Sequence, residues 1–376
     1  MTELARCLHE LPALRGVPER EVAAIASLWS IREVAPGGLV WAQGDPVDGL
    51  AAIVGGELDV ELDDVVVGRV RQGELLGESS AFIATQVRSV TLRARGPATL
   101  AVLPTRAIRD LRDHNPGTYT RFLELGQHAL VRRLHVTNQR LTVAIAGTRA
   151  IPTRPQPSRL ARWWDALVHP EPPTDPPSLG PLLRRLPCLG GLDGPAVAAF
   201  ARAFSPMYLP ERHVLFLQGE ASDGAWLVAD AEMEILRNVR GSHAEALATA
   251  GAGTLVGVNA LVEQGARGAS VVVTRPGWAF LLTREAVARA LHGPVRVRWE
   301  ECVLAALAAQ SRNADVLLRQ SAAPGVAAAG GAAGGEAELS ELLRASGWIE
   351  SLPPELRDVE LASPPLPPRV HHRAAS

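Results

Sequence analysis

Residues 76–94, LGESSAFIATQVRSVTLRA, combine a glycine, a carboxylate and an arginine in one short loop that runs into a strand-like segment. The pair Gly77-Glu78 opens the stretch and the pair Arg88-Ser89 follows. Glycine allows close approach of the backbone, a carboxylate accepts hydrogen bonds from sugar hydroxyls, and the planar guanidinium group matches a phosphate. A sugar acceptor and a phosphate donor on one loop are what a ribose-phosphate ligand requires.

The residues around this loop predict short strands followed by a helix. Alternating apolar runs, separated by Gly, Pro and Asp, extend from Ile31 to about residue 103 and indicate a sandwich or barrel. A helical pattern then covers 117–146. The same order returns from Leu182, and a second helix is predicted at roughly 285–320. The repeat has two clear anchors, Gln43-Gly44-Asp45 against Gln218-Gly219-Glu220 and Asp48-Gly49 against Asp223-Gly224.

The pattern therefore predicts two tandem copies of one fold, with four parts along the chain. These are a first domain with its C-terminal helix (1–146), a Pro-rich linker with a short Trp-containing helix at 158–169 (147–181), a degenerate second domain (182–320), and a flexible Ala/Gly/Pro-rich tail with short helices near 337–360 (321–376).

The first loop resembles the phosphate-binding cassette of the cyclic nucleotide-binding domain family, in the spacing of its catabolite activator branch. The resemblance covers about residues 10–145 and, more weakly, 182–320. It implies an α+β, mainly β fold of two tandem jelly rolls flanked by helices. It also implies that Glu78 accepts a hydrogen bond from the ribose 2′-hydroxyl. Arg88 would pair with the cyclic phosphate, helped by Ser89 and by backbone N–H groups after Gly77, including that of Ser79.

A second segment, RRLHVTNQRL at 132–141, resembles the dimerising helix of the same branch. This resemblance implies that Thr137 touches the adenine amino group and that Asn138 reaches a nucleotide held by the other subunit. An asparagine side chain both donates and accepts hydrogen bonds, which suits a base contact. The two matches together favour cAMP as ligand, with cGMP as the alternative.

The predicted helix at 117–146 carries a narrow seam of apolar or small residues at alternating steps of three and four. Its members are Leu123, Leu130, Leu134, Thr137, Leu141 and Ala144. Two interpretations remain open. The helix lies on its own barrel, or the seam forms a parallel homodimer.

The second loop, GVNALVEQGARGASVVV from Gly257, resembles the cassette of protein kinase regulatory subunits and keeps Arg267 at the phosphate position. Val258 stands at the position of the ribose glutamate. Valine accepts no hydrogen bond, so a ribose hydroxyl buried against it would stay unpaired, at a cost of roughly 1–3 kcal/mol in binding free energy. We therefore expect a degenerate copy with weak or no nucleotide affinity. The alternative is a changed ligand that still uses Gly257 and Arg267.

Composition and missing signatures limit the function classes. The 376 residues carry a net charge of −2 and three scattered cysteines, which predicts no basic field for nucleic acid and no metal site or disulfide framework. No recognition helix, catalytic motif, signal peptide or membrane span is recognisable, and the lack of Lys among 38 basic residues indicates a GC-rich, bacterial genome. We expect a non-catalytic cytoplasmic sensor without a cofactor, which regulates self-association or a protein partner. The alternatives are a ligand-free scaffold and a regulatory subunit of a separately encoded enzyme.

Overall fold

The computed structural model describes residues 3–10, 18–82, 87–144, 149–153, 175–186, 188–239 and 243–322. Residues Met1–Gln320 form one compact unit. The short helices predicted at 158–169 and 337–360 lie outside the described residues and stay predictions.

The first domain is a jelly roll of two four-stranded antiparallel sheets. Their orders are β1-β8-β3-β6 and β2-β7-β4-β5. The strands are β1 (Ser30–Val34), β2 (Leu39–Trp41), β3 (Gly49–Gly55), β4 (Glu57–Leu62), β5 (Val65–Arg71), β6 (Leu75–Leu76), β7 (Thr91–Ala94) and β8 (Ala98–Pro104). The helices are α1 (Glu3–Glu10), α2 (Glu19–Ala26), α3 (Glu78–Ala81), α4 (Thr105–His114) and α5 (Pro116–Ala144).

The second domain repeats this topology. Its sheets have the orders β10-β17-β12-β15 and β11-β16-β13-β14-β9. The strands are β9 (Arg149–Ala150), β10 (Ser205–Leu209), β11 (Val214–Phe216), β12 (Gly224–Val228), β13 (Glu232–Val239), β14 (His243–Ala250), β15 (Leu255–Val256), β16 (Ser270–Arg275) and β17 (Gly277–Thr283). The helices are α6 (Leu179–Arg185), α7 (Gly194–Ala201), α8 (Asn259–Val262), α9 (Arg284–Ala290) and α10 (Gly293–Ala322).

Two sequence predictions need correction here. The helix expected at about 285–320 is two helices, because the chain leaves helical geometry at Leu291 and α10 begins after it at Gly293. The linker expected at 147–181 overlaps ordered elements at both of its ends, since α6 already begins at Leu179. Its residues Arg149 and Ala150 pair with Ala244 and His243 as an added edge strand of the second domain.

Strand β3 of the first domain is buried on both of its faces. In β3, Ala51 and Ile53 pack between the two sheets, whereas Leu50 and Ala52 pack against the helices. Successive side chains of a strand point to opposite faces, so this strand reads as a continuous apolar run instead of an alternating one.

The helices of both domains share one hydrophobic cluster, in which α5 packs against α10. Gly126 of α5 allows a close approach, since a β-carbon there would lie 3.2 Å from Cδ1 of Leu304 and 3.3 Å from Cβ of Glu78. Gln127 donates to the backbone oxygen of Glu300 at 3.0 Å, and Arg296 pairs with Glu124 at 2.8 Å. The two long helices are therefore neighbours within one chain.

This packing changes the interpretation of the α5 seam. Leu123, Leu130, Leu134 and Leu141 are buried in the cluster that also contains Leu304 and other residues of α10. The seam is thus covered without a second chain, and a homodimer through this same seam would require the two domains to separate. Neither predicted alternative had the second domain as the partner of the helix.

Among the described residues, no helix combines the length and the apolar character needed to cross a membrane.

Candidate functional site

The first cassette (residues 76–94) begins at Gly77, which precedes α3 in a left-handed conformation with φ of 79°. A β-carbon at this position would collide with the guanidinium group of Arg88. Only glycine combines this backbone angle with the space that the arginine takes up. The loop conformation and the position of Arg88 therefore depend on each other.

Arg88 is almost fully enclosed by the first domain. It is 2% exposed, and its guanidinium carbon lies 3.8 Å from the ring centroid of Trp41. Its Nη2 donates to the backbone oxygen of Gly49 at 2.8 Å and to the carboxylate of Asp48. Burial lowers the pKa of Arg88, and the bond to Asp48 opposes that effect. Its Nε is buried without a hydrogen-bond partner among the described residues.

Glu78 is the other charged group at this cassette. Its side chain is 0% exposed and lies 3.1 Å from Nη1 of Arg133, which projects from α5. The contact lacks hydrogen-bond geometry, and both carboxylate oxygens are without a hydrogen-bond partner in the described part of the chain. The carboxylate of Glu78 is also the main cause that raises the pKa of Arg133. An ion pair therefore joins the cassette to the interdomain helix.

The cavity beside Arg88 and Arg133 is small. Its volume is about 20 Å³, whereas pockets that hold small molecules span roughly 300–1,000 Å³. Gly77, Arg88, Ser89, Trp41 and Arg133 are among its lining residues. The first cassette is therefore in a closed state that has no room for a nucleotide.

The remaining residues predicted for this site are placed differently. Ser79 follows Glu78 in α3, and its side chain lies outside the described part of the structure. Thr137 is 7% exposed and does not line the cavity of either cassette. Asn138 lines the cavity of the second domain. The resemblance implied a contact of this residue with another subunit, and within this chain the second domain takes that place.

The second cassette (residues 257–273) repeats the arrangement of the first. Gly257 has φ of 74°, and a β-carbon there would come within 2.6 Å of Nη1 of Arg267. Arg267 is 5% exposed, and its guanidinium carbon lies 4.3 Å from the ring centroid of Phe216 and 5.0 Å from that of Trp226. Burial lowers its pKa, and its buried Nε has no hydrogen-bond partner in the described chain.

The cavity beside Arg267 has a volume of about 130 Å³, larger than that of the first cassette. Val258 is fully buried at the position that corresponds to Glu78. Both long helices contribute to the wall, α5 through Leu134 and Asn138, and α10 through residues that include Gln310 and Asn313. We expected the weaker site here, yet more of the space beside the phosphate-position arginine is open in this domain.

A buried arginine also connects the second cassette to α5. Arg237 of β13 is 8% exposed, and burial lowers its pKa to about 10. Its Nε donates to Oγ1 of Thr142 at 2.8 Å, and its Nη1 donates to the backbone oxygen of Gly268, next to Arg267. A conformational change in this cassette would therefore be transmitted through Arg237 to the C-terminal part of α5.

The sequence analysis gave no role at the site to Trp41, Asp48 or Arg133, although Asp48 is an anchor of the repeat and Arg133 lies in the segment 132–141. The repeat contained a signal for two of them, since Asp48 corresponds to Asp223, and Trp41 corresponds to the aromatic residue Phe216. Both arginines stack on the aromatic residue at that position. For Arg133 there was no local signal, because its pairing with Glu78 depends on where α5 lies.

Asp315 of α10 is the basis of a pH-dependent prediction. Burial raises its pKa from 3.8 to about 6, opposed by Arg133 and Arg140 and assisted by Glu78. The folded state holds this proton more tightly than the unfolded chain, so stability falls as the pH rises from about 4 through about 6. Asp315→Asn is expected to remove this fall and to raise the free energy of unfolding at pH 7 by about 1–3 kcal/mol.

Urea unfolding at pH 4.5 and pH 7 measures this effect. Asp110→Asn, on the exposed side of α4, makes the same substitution without burial and serves as the control. If wild type and Asp315→Asn lost stability in parallel between these two pH values, the burial of this carboxylate would have no energetic consequence.

Comparison with known proteins agrees with this geometry. The family model described as cyclic nucleotide-binding domain matches residues 31–115 and 206–293, one region in each jelly roll. Among curated proteins, Glutaminase 1 of Bradyrhizobium diazoefficiens is 29% identical over 143 residues, which are 38% of this chain and 22% of that protein. The match thus spans about a fifth of the relative.

Solved structures of low sequence identity are also similar. One is the regulatory domain of protein kinase A from Toxoplasma gondii with cAMP, at 17% identity, a TM-score of 0.28, and coverage of 78% of this chain and 92% of that one. Another is a cyclic nucleotide-binding domain from Methylobacillus flagellatus, at 23% identity, a TM-score of 0.32, and coverage of 35% and 75%. On these two family-model matches, the regions 31–115 and 206–293 of the chain are two copies of the cyclic nucleotide-binding domain.

Proposed function

We propose that this chain is a non-catalytic regulatory protein of the cytoplasm whose first domain binds a cyclic nucleotide, cAMP in preference to cGMP. One observation carries the proposal. The carboxylate of Glu78 and the Nε of Arg88 are both buried, and neither makes a hydrogen bond among the described residues. Buried polar groups are nearly always hydrogen-bonded, so each such exception needs an explanation.

A cyclic nucleotide supplies the two missing partners. Its ribose 2′-hydroxyl donates to the carboxylate of Glu78, and a phosphate oxygen accepts from Nε of Arg88. Bonds that involve a charged group contribute about 1.5–3 kcal/mol each. The preference for adenine rests only on the resemblance of residues 132–141, because Thr137 does not line the closed cavity.

Binding requires the first cassette to open, since the closed cavity has a volume of only about 20 Å³. The residue that connects the cassette to the rest of the chain is Arg133, which pairs with Glu78 from α5. A nucleotide whose ribose binds Glu78 weakens the ion pair of Glu78 with Arg133. It therefore favours an arrangement in which α5 has moved away from the cassette. The ligand shifts the equilibrium only by its difference in affinity for the two arrangements. The output is then a changed surface at α5 and α10, which a protein partner reads.

The closed cavity also favours a second candidate, a ligand-free scaffold. In that case Arg88 is a structural residue held by Asp48, Gly49 and Trp41. The scaffold predicts no thermal shift with any cyclic nucleotide. A regulatory subunit of a separately encoded enzyme, the third candidate, predicts nucleotide binding together with capture of one enzyme in a pull-down.

Calorimetry on the full chain with cAMP, cGMP and 2′-deoxy-cAMP tests the proposal. We expect cAMP to bind most tightly, and the deoxy analogue to bind more weakly because it leaves Glu78 unpaired. Arg88→Gln is expected to lower the affinity for cAMP about 10- to 150-fold, which is the equivalent of one charge-assisted contact. Arg95→Gln, an exposed arginine on the same domain, is the matched control. No binding at millimolar cAMP, or equal affinity in Arg88→Gln, would refute the proposed function.

A further inference from the structure

The cavity of the second cassette has the chemistry of a ligand site but not that of a ribose site. It lies against the buried guanidinium group of Arg267, and most of its wall is apolar. The apolar residues of the wall include Ile235, Leu247, Val256, Val271 and Leu317. Pockets of this kind, an apolar wall with a few polar groups, are typical of small-molecule sites.

We propose that the second domain binds a compact organic anion, a carboxylate or phosphate monoester with an apolar body, through Arg267 and without recognition of a sugar hydroxyl. This site is separate from the proposed nucleotide site of the first domain, and the two proposals stand or fall independently.

We infer that the ligand is an anion because the charge of Arg267 is incompletely paired. The side chain is 4% exposed, and its one ion pair in the described part of the chain is with Asp223 at 3.8 Å. Asp223 is itself 84% exposed, so water screens much of this attraction. By contrast, Arg88 forms a direct hydrogen bond to the carboxylate of Asp48. Arg267 thus has a buried Nε donor without an acceptor and a charge without a close counter-ion.

The lack of sugar recognition follows from Val258. This side chain is fully buried where the first domain has the carboxylate of Glu78. A ribose hydroxyl placed against it would lose its hydrogen bonds to water and gain none, which disfavours a nucleotide.

The size of the ligand follows from the volume. The cavity of about 130 Å³ is below the usual range of roughly 300–1,000 Å³ for small-molecule pockets, so it suits a ligand smaller than a nucleotide. A single aromatic ring that carries an acidic group matches both the volume and the wall. Asn138 and Gln310 supply amide groups for a polar substituent on the ring.

The ligand would contact both domains at once. Leu134 and Asn138 belong to α5 of the first domain, whereas Gln310 and Leu317 belong to α10 of the second. A molecule between these helices stabilises the closed arrangement in which they are neighbours. It would therefore oppose the opening that a nucleotide in the first domain requires.

Phenylacetate and phenylphosphate are suitable probes, used with the full chain in calorimetry and thermal-shift measurements. At least one of them is expected to bind saturably and to raise the unfolding temperature. Arg267→Gln is expected to weaken that binding at least tenfold, and Leu317→Trp, which fills the cavity, to abolish it. Arg275→Gln, an exposed arginine of β16, is expected to leave it unchanged.

Circular dichroism of each variant shows whether it is folded, and the cavity-filling variant tests the site even if Arg267→Gln fails to fold. The proposal is overturned if neither probe binds, or if Leu317→Trp binds a probe as tightly as wild type does. It is also overturned if this cavity binds cAMP more tightly than 2′-deoxy-cAMP in the Arg88→Gln background. None of these results bears on whether the first domain binds cAMP.

Discussion

Trp299→Ala is expected to lower the free energy of unfolding by about 3–5 kcal/mol, the usual cost of truncating a buried tryptophan. Trp299 lies near the start of α10 and is 1% exposed. Its ring centroid is 5.1 Å from that of Phe200 and 6.2 Å from that of Phe204. Alanine would leave a cavity among these rings and remove the contacts that fix α10 to the helices before the second jelly roll.

Urea denaturation measures the change, with Val316→Ala as the control. Val316 is on the same helix but is 42% exposed, so its truncation is expected to change stability by less than about 0.5 kcal/mol. A loss below about 1 kcal/mol for Trp299→Ala would mean that the neighbouring rings collapse into the space. Because α10 also forms part of the wall of the cavity in the second cassette, Trp299→Ala is also expected to weaken the binding of a ligand in that cavity.

The jelly-roll fold was predictable because its signals are local and occur twice. Turn residues separate short apolar runs in each copy, and the anchors Gln43-Gly44-Asp45 and Gln218-Gly219-Glu220 repeat in step. The matching strand orders of the two domains confirm the predicted pair of jelly rolls. The sequence also singled out Gly77 and Gly257 as the first residues of the two cassettes, whereas their left-handed conformation and the short helices that follow were seen only in the structure.

The state of each cassette was not predictable, because it depends on side chains that come from distant elements. The first cassette has the residues expected for a nucleotide site, but Arg133 from α5 reaches Glu78 and the cavity is closed. The second lacks the carboxylate, but its cavity is larger. Residue identity decides which ligand chemistry is available, whereas cavity volume depends on helix placement and rotamers.

The α5 seam shows a related limit. An apolar seam indicates that a helix packs against something, but not against what. Two domains linked in one chain meet at an effective concentration that their linker sets, up to the millimolar range. At micromolar protein, the second domain therefore competes more effectively for the seam than a second molecule does. This is the physical reason to expect the intrachain pairing of α5 with α10 in solution.

Glu301→Ala is expected to destabilise this pairing by about 1–3 kcal/mol, the usual cost of leaving a buried hydrogen-bond donor without its acceptor. Glu301 of α10 is 5% exposed. Its carboxylate accepts from the hydroxyl of Tyr119 at 2.9 Å, and it lies 3.0 Å from Arg112 and 3.2 Å from Arg298. Two of these partners belong to the first domain, and Tyr119 is 3% exposed, so alanine would leave a buried donor of the first domain unpaired. Burial and the neighbouring Glu301 also raise the pKa of Tyr119, which keeps its hydroxyl protonated as the donor.

Glu124→Ala provides a matched control for this variant, since Glu124 and Glu301 lie equally far from the starts of their helices at Pro116 and Gly293. Glu124 forms a single pair with Arg296, and its side chain is 32% exposed, so its loss is expected to cost less than about 1 kcal/mol. Hydrogen exchange at α5 distinguishes separation of the domains from global unfolding. Faster exchange confined to α5 and the start of α10 is expected for Glu301→Ala, because the jelly-roll cores do not contain this network. If Glu301→Ala and Glu124→Ala lowered the free energy of unfolding by equally small amounts, the two domains would be joined by apolar packing alone. A nucleotide that breaks the pair of Glu78 with Arg133 would then have little effect on the separation of the domains.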